Sequence, residues 1–100
     1  MTNLEINRRL ALAIGYAPED IDVDALGVSV MRDGSWIIFD HQDVRTIYPL
    51  AEHFKIMPRW SKAPGCWETY NEHGAPEIVH TNPRTCTALA LIEAGERGLL

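Results

Sequence analysis

Apolar residues recur along this chain at two spacings. From residue 3, Ile6, Leu10, Ala13 and Ile14 fall on one face of a helix, and Thr2 with Glu5 forms the S/T-x-x-E box that satisfies a first helical turn. Gly15 follows where the chain must leave the helix in left-handed geometry, which predicts a helix from Asn3 to Ile14. The stretch from Ala17 to Asp24 is acidic and lacks helical periodicity, so it predicts an ordered loop. Val28 to Met31 and Trp36 to Phe39 then flank Arg32-Asp33-Gly34-Ser35. Asp-Gly between two β-rich runs predicts an antiparallel hairpin.

Helical spacing returns at Val44, Ile47, Ala51 and Phe54, with His41, Gln42 or Asp43 available as the cap. Pro49 either kinks this second helix or marks a fresh start, and Met57-Pro58 requires the helix to have ended. Arg59 to Lys62 and Cys66 to Tyr70, joined through Ala63-Pro64-Gly65, read as a second pair of strands. After a turn at Asn71 to Gly74, Glu77 to His80 reads as a further strand, with Pro76 at its start. Asn82 and Pro83 open a last helix lined by Cys86, Leu89, Ala90 and Ile92 and ending near Gly95 or Gly98.

The order is helix, hairpin, helix, strands, helix. It predicts a single α+β domain over residues 1–100, with three helices packed on an antiparallel sheet of four to five strands. Composition fits a folded domain, with 46% hydrophobic and 23% charged residues in 100. Fourteen acidic against nine basic residues give a net charge of -5, which opposes general attraction to phosphate backbones and anionic membranes. No apolar run approaches the about 20 residues that cross a bilayer. The opening residues lack the pattern of a secretory signal, so the expected location is the cytoplasm, with Cys66 and Cys86 as free thiols.

Reactive constellations are not evident. Asp20, Asp22 and Asp24 alternate like the start of an EF-hand, but Ala25 stands where that loop needs glycine and Met31 where it needs glutamate. His41, His53, His73 and His80 sit in no zinc-ligand spacing, so their default role is at the surface or as caps, and no metal or cofactor is expected. No histidine is fixed beside either cysteine, and Cys86 reads as a small apolar residue of the last helix.

Glu19, Asp20, Asp22 and Asp24 could present negative charge to a basic partner, or be a solvated loop with Ile21 and Val23 tucked inward. Trp36, Trp67 and Trp60 read as core or sheet-face packing, although one exposed tryptophan would be a protein-binding anchor, for which Trp60 is the candidate. With Arg59 and Lys62 it could instead stack on single-stranded nucleic acid, and a basic edge that discourages aggregation explains the same residues.

Three stretches carry a family resemblance: Met1 to Ala11 with Gly15-Tyr16, then Asp43 to Ile47, then Asn82 to Leu91. On these the chain resembles the phage ABA-sandwich domain family of small bacteriophage and prophage proteins. The acidic insertion from Glu19 to Asp24 and Pro49 depart from its pattern. The resemblance implies a helix-and-sheet sandwich encoded by a phage, and brings no established activity or site residues with it. The expected function is therefore a non-enzymatic phage accessory protein acting in the host cell. It would bind a host protein, including a nucleic-acid-binding defence complex such as a CRISPR effector. The alternatives are a nucleic-acid-binding protein using Arg59, Trp60 and Lys62, and a small Cys/His enzyme.

Overall fold

A computed structural model describes residues 1–61, 65–71 and 78–100. The expected turns at Ala63-Pro64 and Glu72 to Gly74, together with Lys62, Pro76 and Glu77, lie outside the described residues.

Helix α1 spans Asn3–Ala13, and the Thr2 hydroxyl accepts from the Glu5 amide at 3.2 Å, as the capping box requires. Its end is a Schellman motif, because Tyr16 N donates to Ala11 O and Gly15 N to Leu12 O, both at 3.1 Å, with Gly15 at φ 113°. Ile14 is thus the cap and not the last helical residue. After a short 3-10 turn at Pro18–Asp20, strands β1 (Ile21–Asp24), β2 (Gly27–Arg32) and β3 (Ser35–Ile38) form one antiparallel sheet in that order. Asp33 and Gly34 sit at φ 51° and 83°, the two positive values a type I′ hairpin turn demands.

The acidic stretch corrects the expected loop. Ile21 to Asp24 pair with Val30 to Gly27 as a strand. The Asp24 carboxylate accepts from Leu26 N at 2.8 Å and Gly27 N at 3.1 Å, so a side chain closes the β1–β2 turn.

Helix α2 (Val44–Phe54) is continuous through Pro49, which excludes a fresh start there. Asp43 caps it by accepting from Arg45 N at 2.9 Å, and Lys55 ends it in left-handed geometry. Strands β4 (Ile56–Ser61), β5 (Cys66–Asn71) and β6 (Val79–His80) form a second three-stranded antiparallel sheet, and α3 (Pro83–Glu96) follows. Asn82 caps α3 by accepting from Arg84 N and Thr85 N. Two sheets of three strands therefore replace the expected sheet of four to five. The cause is the extra strand β1 on the first hairpin, with the second set of strands packing on a different helix.

The first sheet packs on α1 and the second on α3, while α1 and α3 pack on each other and α2 lies against α3 and β4. The core runs through all these layers, from Ile6, Leu10, Val28 and Val30 to Ile47, Ile56 and Leu91. Helix α3 is buried nearly all round, because it meets α1, α2 and the second sheet on different sides. Gly95 of α3 lies directly against Ala13 of α1. A Cβ there would lie 2.6 Å from Ala13 Cβ and would run into the Ala13 carbonyl oxygen.

Candidate functional site

The pleat of the first sheet sorts its side chains. Val28 and Val30 are buried, so the alternating residues Ser29 and Met31 lie on the other face. Register extends that outward face across the sheet: Asp22 pairs with Ser29 and Ser29 with Ile38, while Met31 pairs with Trp36. Asp22 and Asp24 on β1 thus share a solvent face with Trp36 and Ile38 on β3. All of β3 is exposed, with Trp36 at 50% and Ile38 at 81% of full accessibility.

Among the described residues, Glu19, Asp20, Asp22 and Asp24 form no ion pair. The face therefore has an uncompensated acidic margin and an apolar margin, joined across one strand. Of the expected partner-binding residues, Asp22 and Asp24 lie on it, whereas Glu19 and Asp20 precede it in the 3-10 turn. Ile21 is half-buried, and Val23 on the inward face is still 41% exposed.

On the inward side of β3 lies a groove of about 740 Å³ between that strand and α2. Tyr16, Ile37, Phe39 and Leu50 give it an apolar floor, and Tyr16 meets Phe39 edge to face at 6.0 Å. Arg32 stands toward one end of β3 and Asp43 beyond the other. Asp43 accepts from Arg45 Nη2 at 2.9 Å, and that guanidinium holds the carboxyl below its usual range.

Trp60 lies apart from these features, in the second sheet. It is 54% exposed and meets Trp67 edge to face at 5.6 Å, so it packs on one side and is open on the other. Arg59 bonds Glu68 at 2.9 Å, which offsets the charge the nucleic-acid reading needs.

The sequence reading took Trp36 for core or sheet-face packing and did not single out Ile38. Its signal was present, since Trp36 to Phe39 are four consecutive apolar residues where a half-buried strand should alternate.

His41 corrects the expected surface or capping role. It has no exposed surface. Asn7 Oδ1 accepts from its backbone N–H at 2.8 Å and from Nδ1 at 2.6 Å, which leaves Nε2 to accept from Gln42 Nε2 at 3.0 Å. Thr85 Oγ1 lies 3.3 Å from Nε2 and accepts from Gln42 Nε2 at 2.8 Å, while Gln42 Oε1 accepts from Asn82 and Arg84. This network ties the end of β3 to α1 and α3. Burial lowers the His41 pKa, partly offset by Asp40, so the ring is neutral with its proton on Nδ1.

Both cysteines are buried and free. The Cys86 thiol donates to Ile78 O at 3.1 Å, and burial, reinforced by Cys66, pushes its pKa up to about 11. A thiolate nucleophile needs the opposite shift. Among the described residues, no three His, Cys, Asp or Glu side chains converge as a metal site would require. Nor is any described helix long and apolar enough to cross a membrane. No protein-family model, no curated protein and no solved structure matches this chain.

Proposed function

We propose that this chain is a non-enzymatic protein-binding protein whose working surface is the outward face of the first sheet. The observation that carries it is the placement of half-exposed Trp36 and largely exposed Ile38 on the same face as Asp22 and Asp24, neither of which has an ion-pair partner among the described residues. Tryptophan buries a large rigid area on association, and clustered carboxylates select a basic partner and speed encounter with it. With the resemblance to phage proteins, the partner class is a basic surface on a host protein, such as the nucleic-acid channel of a defence complex. Host cytoplasm is the compartment in which such a protein would act.

A tagged pull-down from bacterial lysate tests this. Wild type should enrich a host protein that Trp36→Ala loses and that the pair Asp22→Asn with Asp24→Asn captures more weakly. If wild type enriches nothing over a tag-only control, the proposal fails. Retention by both variants would move the interface off this face.

A further inference from the structure

The two edges of the first sheet differ in a way that bears on assembly. Edge strand β1 carries Asp22 and Asp24, charges of the kind that discourage a second strand from adding. Edge strand β3, Ser35-Trp36-Ile37-Ile38, carries no charge and no proline, and all four residues are exposed. Nothing in its sequence guards it.

Its backbone shows what it accepts. The two-residue turn makes Arg32 and Ser35 a hydrogen-bonded pair, and Phe39 N donates to Val28 O at 2.9 Å. Ser35, Ile37 and Phe39 therefore direct their N–H and C=O toward β2. Trp36 and Ile38 direct theirs away from it, toward the open edge.

We infer that two copies of this chain pair antiparallel through β3 about a two-fold axis at Ile37, joining two three-stranded sheets into one of six. In this register Trp36 of each copy lies opposite Ile38 of the other, so both outward-directed residues exchange N–H···O bonds, four in all. Shifting by two residues sets Ile38 against Gly34 or Trp36 against Asp40, and either choice strands part of the edge.

Charge is compatible with the same arrangement: Arg32 precedes the strand and Asp43, paired with Arg45 in its own chain, follows it, so antiparallel pairing sets the Arg32 of one copy at the strand end where the other copy's Asp43–Arg45 pair stands. The Ile37 side chains meet on the inward side, where the groove has room for them. This pairing is independent of the proposed partner: it uses the strand edge, and it leaves the acidic β1 strands at the two outer margins.

Sedimentation equilibrium across a wide concentration range tests it, with two variants. Ile38→Pro removes an N–H that β2 does not use, so the hairpin should survive by circular dichroism. Dimer Kd should rise roughly thirtyfold, since two of the four bonds are lost at about five- to sixfold each.

Ile37→Cys puts a thiol on the axis. Opposite Cα atoms of a non-hydrogen-bonded pair lie about 4.5 Å apart, within disulfide reach, so oxidation should yield a covalent dimer. The native thiols are buried and should not compete. Wild type that stays monomeric up to millimolar chain overturns the inference. So does an undiminished dimer in Ile38→Pro, or a wild-type dimer that Ile37→Cys does not cross-link.

Discussion

Asn7→Leu separates hydrogen bonding from packing at a buried polar position of the fold. Leucine keeps the branched shape, with bulkier methyl groups, but removes the oxygen that accepts from both the His41 backbone N–H and Nδ1. His41 has no exposed surface, so water cannot replace that oxygen unless the site opens. Each buried donor left unpaired costs about 1–3 kcal/mol. Two of them give about 2–6 kcal/mol, less about 1–2 kcal/mol regained from the buried leucine, for an expected net loss near 3 kcal/mol. At about 4–8 °C per kcal/mol for a domain of this size, the melting midpoint should fall by roughly 10–25 °C.

Urea titration followed by circular dichroism reads the same loss. Thr85→Val should cost less, because Gln42 Nε2 keeps His41 Nε2 as a partner. A loss under about 1 kcal/mol for Asn7→Leu, or a larger loss for Thr85→Val, would refute this account of the network. The pH dependence follows from the neutral ring. His41 titrates lower folded than unfolded, so its stabilising contribution is complete above pH about 6.5 and is lost as pH falls toward the folded pKa. That slope, at most about 1.4 kcal/mol per pH unit for one proton, should be absent from a His41→Gln variant.

Three further outcomes are expected. Gly95→Ala should destabilise the fold by about 1–3 kcal/mol in the same urea titration, despite the better helix propensity of alanine, because its methyl meets Ala13; a gain would show that the helices part easily. Alkylation of Cys86 at pH 8 should run at least two hundredfold, roughly, below that of a free thiol, since a pKa of about 11 leaves so little thiolate; comparable rates in native and urea-unfolded protein would contradict the burial. Changing Asp20, Asp22 and Asp24 together to asparagine should cost under about 0.5 kcal/mol per site, because the amide oxygen that replaces the Asp24 carboxylate would still accept from Leu26 N and Gly27 N; a captured partner should bind the variant more slowly and with weaker salt dependence, and an unchanged on-rate would exclude these carboxylates.

Elements that announce themselves through local chemistry were legible in the sequence. The Thr2 to Glu5 box, the Asp33-Gly34 turn and the Asn82-Pro83 start each combine a side chain or dihedral demand with the apolar period that follows. β1 was not legible, because its turn is closed by the Asp24 carboxylate and its strand is half charge, a composition that local rules assign to loops. Division into two sheets depends on which helix each hairpin meets, a contact between distant segments that periodicity does not encode. Burial of His41 depends on Asn7, 34 positions away. The face joining Asp22 to Ile38 needed the pairing of three strands before its residues became neighbours.

The position of α3 also governs when this chain can fold. Helix α3 is the layer to which α1, α2 and all three strands of the second sheet attach, and it comes after every one of them in the sequence. The α1–α3 seam joins residues 3–13 to residues 83–96, so closing it orders a loop of about 70 residues before the reward of burial arrives. On a ribosome, the first hairpin and α1 can meet early, but α2 and the second sheet have no apolar wall until residues 83–96 emerge. Folding should therefore be late and nearly all-or-none, at the intermediate rate of mixed helix-and-sheet domains. Until then the uncharged β3 edge is exposed on an unfinished molecule, which makes the interval before α3 docks the period of greatest aggregation risk.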